Sequence, residues 1–307
     1  MSEVINDVVV VKEQARAQAQ TQAQGGGWKD FVAGSLAGAT QVAIGHPLDT
    51  IKVRMQVEGT RVFSGPVDCL TKTVRSEGVL GLYRGMAAPL VGIAAVNSLL
   101  FWTYSLGKRL QTGAAGGQAT LAQVALAGAG AGAVNSVLAS PVELIKVRLQ
   151  TQRSGGGSGS GGPVQLARQL AAQFGARGLL WGFWATVARE VPAYAAFYSG
   201  FEFAKRQLAR GSDAKLGAGS LMAAGAFGGV SYWTAGYPLD VIKSRVQNAA
   251  APPARGLGYL AAAARAVYRE QGVRGFFRGY STAVVRSVPA AGATFAVYEL
   301  VLRELEK

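Results

Sequence analysis

The sequence is poor in the residues that build disulfides and metal centres. Its 307 residues include one cysteine, Cys69, and one histidine, His46. A single cysteine excludes an internal disulfide framework and any multi-cysteine metal site. A single histidine leaves no histidine cluster for a metal ion. The chain also has no dinucleotide fingerprint, no P-loop and no evident nucleophile–base pair. We therefore expect no metal, no cofactor and no enzymatic activity.

Charged residues are also scarce, at 16% of the chain, whereas 50% of the residues are hydrophobic and 42 are glycine. This composition is typical of a helical membrane protein, in which glycine lets helix backbones approach closely. Acids are fewer than bases, 17 against 31, which gives a net charge of +14.

The positive charge is confined to particular connections. The segments 52–84, 146–181 and 243–278 hold 18 of the 31 Lys and Arg but only 4 of the 17 acids. Such a bias between alternate connections follows the positive-inside tendency of membrane proteins and differs from the basic face of a nucleic-acid-binding domain. We therefore expect these segments on one side of a membrane and no nucleic-acid partner.

One hexapeptide pattern occurs three times, at intervals of 94 and 97 residues. Its copies are residues 47–52 (PLDTIK), 141–146 (PVELIK) and 238–243 (PLDVIK). The acid and the lysine are three residues apart, which places them on one side of a helix, and the proline kinks that helix. A GxxxG step precedes each copy at the same offset, at residues 34–38, 128–132 and 225–229. The chain is therefore one unit used three times.

A glycine-anchored segment and a second apolar helix follow each copy, at about 85–109, 182–208 and 279–304. The pattern predicts an all-α membrane protein with six transmembrane helices in three tandem two-helix repeats, packed with pseudo-threefold symmetry. The repeats cover residues 28–110, 120–208 and 217–305, after a disordered tail at 1–27. Few spans are apolar for 18 uninterrupted residues, so we expect their polar residues to face a shared interior or cavity.

These motifs together resemble those of the mitochondrial carrier family, over about residues 28–305. The resemblance implies a monomeric, multi-pass carrier of the mitochondrial inner membrane, with its basic loops in the matrix. It implies alternating access to one central small-molecule site, with antiport or uniport left open. Membrane lipid, cardiolipin among it, is an expected partner at the glycine-anchored helix ends.

The resemblance also assigns two sets of charges. The first, here called the acid–lysine ring, is the expected matrix gate, with each acid paired to the next repeat's lysine: Asp49–Lys146, Glu143–Lys243 and Asp240–Lys52. Glutamines nine residues after each proline are the expected braces of this ring: Gln56, Gln150 and Gln247. The second charge set, the expected cytoplasmic gate, consists of Lys108, Glu202, Lys205 and Glu299. Here the same pairing direction leaves one bridge, Glu299–Lys108, while Glu202 and Lys205 are close enough in sequence to pair with each other.

The expected substrate site lies on the second helix of each repeat. Arg189 and Arg286 stand seven residues after their anchor glycines, and an arginine within a membrane must be paired or face water. Arginine binds carboxylates through two parallel hydrogen bonds, and Glu190 can hold an ammonium group. A helix-stabilising ion pair is the structural alternative for Arg189 and Glu190. The other expected contacts are Gly92, Val96, Asn97 and Tyr194.

The arginine motifs resemble those of the basic-amino-acid and carnitine/acylcarnitine branch of the family. They predict transport of a carboxylate-bearing zwitterion, an amino acid of the glutamate or ornithine type. A carnitine/acylcarnitine carrier is the alternative. A non-transporting membrane scaffold is a third reading, from a different class, but a scaffold has no need of a breakable ring of charges.

Overall fold

The computed structural model describes residues 28–59, 62–112, 118–151, 162–209, 218–253 and 257–286, and five single positions between 297 and 305. The regular elements of these residues are all helical, which confirms the predicted all-α fold. The expected tail at 1–27 and the side chain of Glu299 lie outside the described residues.

Long and short helices follow the order that the repeats predict, with a short helix between the two long helices of a repeat. The long helices are α1 (Trp28–Glu58), α3 (Ala87–Thr112), α4 (Leu121–Thr151), α6 (Phe183–Ala209) and α7 (Ala218–Gln247). Residues 280–286 are also helical. The short helices α2 (Pro66–Glu77), α5 (Pro163–Phe174) and α8 (Gly258–Gln271) follow α1, α4 and α7. A further short helical turn succeeds each of them, at Val79–Tyr83, Ala176–Leu179 and Val273–Phe277.

Each proline of the repeated hexapeptide lies inside a long helix. The GxxxG step of the second repeat is a close helix contact. A Cβ atom at Gly128 or Gly132 would lie 2.6 Å from the carbonyl oxygen of Tyr194 or Glu190 on α6. The third repeat differs among the described residues, in which no heavy atom lies within 4 Å of a Cβ position at Gly225 or Gly229. There the neighbouring glycine of α7, at position 228, faces α6 instead.

Helix α4 is the one described helix whose length and mean hydropathy, 1.4, suffice by themselves to cross a membrane. The helical segments Val79–Gly92 and Ala95–Thr112 are bent relative to each other, and together they are long and apolar enough to form a second span. Polar and charged side chains interrupt the other long helices. A polytopic bundle tolerates them where they face its interior, since only the lipid-facing side must be apolar.

The anchor glycines join each repeat to the next one. Gly85, Gly182 and Gly279 have φ angles of 80°, 79° and 83°, in the left-handed region that side chains disfavour. A Cβ atom at Gly85 would lie 2.9 Å from the carbonyl oxygen of Lys146, in the following repeat. A Cβ atom at Gly182 would lie 3.0 Å from the side chain of Gln247, and one at Gly279 would lie 3.0 Å from the hydroxyl of Tyr237 and 3.5 Å from the carbonyl oxygen of Lys52. Glycine is thus required both by the backbone conformation and by the close contact between repeats.

Replacing an anchor glycine should destabilise the bundle. We expect Gly85→Ala to cost about 1–3 kcal/mol, the usual strain of a residue in a disfavoured backbone region, and to lower the melting temperature in detergent. Gly130→Ala is the matched control, because Gly130 is helical and has no heavy atom within 4 Å of its Cβ position. This control should leave the melting temperature unchanged or raise it. Equal melting temperatures for the two variants would contradict the proposed packing of Gly85.

The single cysteine is a packing residue. Cys69 on α2 is fully buried and packs in a cluster with Ile51, Phe63 and Leu82. Burial raises the pKa of its thiol to about 11. The reactive thiolate is therefore scarce at neutral pH.

We expect Cys69 to resist N-ethylmaleimide at pH 7 in the folded protein and to react at once after denaturation in dodecyl sulfate. Labelling should rise only above pH 10 or on unfolding, because both the pKa and the burial protect the thiol. In a Cys69→Ser background, Val67→Cys should label quickly, since Val67 lies on the same helix and is 75% exposed. Mass spectrometry of the labelled chains measures both rates, and fast labelling of native Cys69 would refute its burial.

Candidate functional site

The acid–lysine ring is closed in the structure. Each acid contacts the lysine of the next repeat, in the direction that the family resemblance implies. The three pairs are Asp49–Lys146 at 2.6 Å, Asp240–Lys52 at 2.7 Å and Glu143–Lys243. They join α1 to α4, α7 to α1 and α4 to α7, so that the three proline-kinked helices are tied together at one level.

Arg189 adds a second cation to two of these acids. Its guanidinium contacts Glu143 at 2.8 Å and Asp240 at 3.4 Å. The same side chain also bonds to its neighbour Glu190 and to the hydroxyl of Tyr232 on α7. Arg189 and Glu190 are both buried. The sequence-based alternative of a local ion pair is therefore present, but as part of a larger network that includes the acid–lysine ring.

Arg286 makes the corresponding contact with the remaining acid. Its Nε and Nη1 atoms lie 3.1 Å and 3.3 Å from the carboxylate oxygens of Asp49. Gly45 of α1 gives it room, since a Cβ atom there would lie 3.2 Å from the guanidinium. Every acid of the ring thus contacts both a lysine and an arginine. An anion that binds either arginine has to compete with the ring for it.

The three glutamines contact different groups. Gln56 donates to Asp240 at 2.8 Å and so braces one bridge directly. Gln150 instead donates to the hydroxyl of Thr50 at 3.0 Å, and Gln247 to that of Thr186 at 3.3 Å. The expected brace is therefore seen at one bridge, while the other two glutamines join helices beside the ring.

A second ring of contacts, which was not predicted from the sequence, lies beside the acid–lysine ring. The arginine two residues after each ring lysine donates its Nε–H to the backbone carbonyl of the next repeat's glutamine. These bonds are Arg54 to Gln150 at 2.8 Å, Arg148 to Gln247 at 3.0 Å and Arg245 to Gln56 at 3.1 Å. A basic residue at this offset occurs in all three repeats, so the threefold recurrence could have identified it.

Aromatic rings lie beside the cations of the site. The Lys52 ammonium lies 4.2 Å from the centre of the Trp233 ring, and the Arg286 guanidinium lies 5.9 Å from it. Tyr194 packs edge-on against Tyr232, with 5.2 Å between the ring centres. Rings so placed can hold a cation over their faces. Tyr194 and Trp233 are both partly exposed, so they can line a cavity.

The remaining expected contacts are on α3. Gly92 lies at a helix contact, because a Cβ atom there would lie 2.9 Å from a methyl group of Val142 on α4. The structure therefore gives Gly92 a packing role. Val96 is partly buried and Asn97 exposed, about one turn further along α3.

The second charge set is only partly described. Glu202 contacts Lys205 at 2.5 Å and Arg206 at 2.9 Å, all on α6. The expected pairing of the two leftover charges within one helix is thus observed. The expected bridge from Lys108 to Glu299 stays a prediction, because Glu299 lies outside the described residues.

Paired helices in repeats, tied by a ring of buried ion pairs with arginines bound to it, define a membrane transporter of the carrier type. A family model described as "Mitochondrial carrier protein" matches the chain three times, at residues 23–114, 117–212 and 214–307. The chain belongs to the mitochondrial carrier family.

Its relatives include an Arabidopsis thaliana mitochondrial carnitine/acylcarnitine carrier-like protein, 42% identical over 89% of this chain and 97% of the relative. The Rattus norvegicus mitochondrial carnitine/acylcarnitine carrier is 35% identical, over 90% of this chain and 94% of the relative. The Bos taurus mitochondrial basic amino acids transporter is 37% identical, over 89% and 91%.

The expected bridge of the second charge set can be tested by charge reversal. Lys108→Glu and Glu299→Lys should each reduce transport, because each would place like charges together. The double reversal should restore most of it, because the opposite charges then face each other again. Initial uptake rates in proteoliposomes measure this. Reversal of the exposed pair Asp68–Lys72 on α2 is the control and should leave the rate unchanged. No recovery in the double variant would refute the pairing.

Proposed function

We propose that this carrier moves a carboxylate-bearing zwitterion, most simply an amino acid of the glutamate or ornithine type, by alternating access. The observation that carries the proposal is the pair of arginines, Arg189 and Arg286, bound to the acids of the closed ring. A substrate carboxylate can take over either guanidinium by the same hydrogen bonds that now reach the ring acids. Glu190 beside Arg189 supplies the negative charge that an ammonium group needs.

Gate opening follows from this competition. The cations that face the ring are two arginines and three lysines, while the anions of the network are three ring acids and Glu190. The network therefore carries one positive charge in excess when every group is ionised, and a carboxylate balances it. When that carboxylate draws the arginines away, the ring acids keep only their lysines, and the repeats can separate.

A carnitine or acylcarnitine is the second candidate. The aromatic rings of Tyr194, Tyr232 and Trp233 near the buried charges favour it, because a quaternary ammonium group binds well against such rings. The names of the Arabidopsis thaliana and Rattus norvegicus relatives support the same candidate. The name of the Bos taurus relative supports an amino acid.

The wider assignment rests on family membership. We propose a monomer in the mitochondrial inner membrane, with the acid–lysine ring on the matrix side and the second charge set on the other. The repeat boundaries 28–110, 120–208 and 217–305 belong to this proposal. So does lipid binding, cardiolipin included, at the glycine-anchored ends of the short helices.

Uptake by proteoliposomes tests the function. Vesicles preloaded with glutamate, ornithine, carnitine, acetylcarnitine, a nucleotide or a dicarboxylate should show saturable uptake of zwitterions and none of nucleotides. Arg286→Ala should raise KM about tenfold or more, since a hydrogen bond to a charged group contributes about 1.5–3 kcal/mol.

Lys72→Ala is the matched control, because it removes a cation whose side chain is 55% exposed. Its uptake should equal that of the wild type. Uptake no greater than in protein-free vesicles for every ligand would overturn the proposal and favour a scaffold. Uptake that Arg286→Ala leaves unchanged would place the substrate elsewhere.

A further inference from the structure

Asn135 on α4 is a buried amide whose hydrogen-bonding groups are unused. Its side chain is 1% exposed, and neither its Nδ2 nor its Oδ1 atom has a hydrogen-bond partner among the described residues. Buried polar groups are nearly always hydrogen-bonded, because leaving water without a replacement partner is costly. An amide left alone in the middle of a membrane helix therefore needs an explanation.

The helical position of Asn135 directs it towards the interior of the bundle. Leu126, Val134 and Val137 are exposed and mark the outer face of α4. At about 100° per residue, Asn135 lies about 180° around the helix from Leu126, about 160° from Val137 and about 100° from Val134. It lies within about 20° of Lys146, a member of the acid–lysine ring, and about three turns away from it along the axis. Its amide thus shares the interior face of α4 with the ring.

The level of Asn135 is that of the proposed substrate site. Gly132, less than one turn away on the same helix, packs directly on the backbone of Glu190. The Oε2 atom of Glu190 also has no hydrogen-bond partner among the residues that the structure describes. Two unused buried polar groups therefore lie at one level, on adjacent helices of the interior.

The corresponding position of the third repeat shows which contact Asn135 does not make. It stands six residues before Pro141, as Tyr232 stands six residues before Pro238. The hydroxyl of Tyr232 is occupied by Arg189 of the preceding repeat. Asn135 has the same position relative to the preceding repeat, but the residue there that corresponds to Arg189 is a glycine.

That glycine, Gly92, has no side chain to fill the space. It packs instead against Val142, two turns beyond Asn135 on α4. An arginine–tyrosine contact thus joins the second and third repeats. At the interface between the first and second repeats, the corresponding residues are Gly92 and Asn135, and a glycine cannot make this contact.

We propose that Asn135 is a specificity-determining contact that binds an uncharged hydrogen-bonding group of the transported zwitterion, such as a hydroxyl or a carbonyl. This inference rests on the proposed function in its wider form, transport of a carboxylate-bearing zwitterion. Carnitine and acylcarnitines have such a neutral group, whereas glutamate and ornithine do not. An amide offers one acceptor oxygen and two N–H donors without net charge, so it suits a group that both donates and accepts. Arg189, Arg286 and Glu190 bind the charged groups of the substrate. Asn135 forms hydrogen bonds with its neutral polar group.

Two pairs of ligands test the proposal. Carnitine and γ-butyrobetaine differ by one hydroxyl, and glutamine and norleucine differ chiefly by a side-chain amide. In whichever pair the wild type carries, Asn135→Leu should raise KM about tenfold for the member with the neutral polar group, the loss of about one hydrogen bond. KM for the other member should stay unchanged. Uptake in proteoliposomes gives both values.

A thermal-unfolding measurement gives a readout independent of transport. Leucine has a similar volume and no polar atom, so replacing an unpartnered amide should leave the melting temperature of the ligand-free protein unchanged or raise it. A lower melting temperature would show that Asn135 has a structural partner, and it would overturn the proposal. Ser140→Ala is the control, because Ser140 is equally buried with a free hydroxyl but lies about 140° around the helix. It should change neither KM of the pair.

Failure of the inference about Asn135 can be distinguished from failure of the proposed function. If the wild type carries a pair and Asn135→Leu changes both KM values equally or neither, the inference fails and the carrier function stands. If the wild type carries a ligand of the uptake panel but neither pair, the inference also fails and the carrier function stands. If it carries no ligand of either pair or of the panel, the proposed function fails and the inference fails with it.

Discussion

The structure depends on the sharing of three carboxylates, one buried and two partly buried, between two kinds of cation. Asp49, Glu143 and Asp240 each contact a lysine of the next repeat and an arginine of the expected substrate site. Buried ion pairs come near to break-even once desolvation is counted, whereas removing one partner costs about 3–5 kcal/mol. A ring with these energetics holds the helices together and still releases them when a substitute charge arrives.

The bundle combines a threefold frame with an asymmetric interior. Contacts that involve the backbone recur in every repeat, as in the anchor glycines with left-handed φ angles and the arginines that donate to glutamine carbonyls. Each interface between repeats needs the same mechanical link, so the same residue types serve in all three. Residues at the corresponding interior positions differ, as in Gly92, Arg189 and Arg286, and an asymmetric substrate of the proposed kind requires such a difference.

The two ends of the bundle are held differently among the described residues. At the proline end, ion pairs cross every interface between repeats, and the arginine-to-carbonyl bonds reinforce them. At the other end, Glu202 is bound within its own helix by Lys205 and Arg206, which ties no two repeats together. Among the described residues, ion pairs between repeats therefore occur at the acid–lysine ring, and they stabilise the conformation in which this ring is closed.

The sequence by itself determined the architecture, the ring charges and the arginines of the site. Three copies of a proline, an acid and a lysine at fixed spacing supplied the charges of a ring, and the family resemblance supplied their pairing between repeats. An arginine in a membrane segment needs a partner or water. Even the pairing of Glu202 with Lys205 followed from their spacing along one helix.

The tertiary structure decided what depends on distances between helices. Sequence spacing could not show that Arg189 reaches two ring acids, that Gln150 and Gln247 bind hydroxyls beside the ring, or that Gly92 packs against Val142. It also could not show that the amide of Asn135 is buried without a hydrogen-bond partner among the described residues. Each of these facts depends on how far neighbouring helices rotate and approach, and packing of the whole bundle sets both.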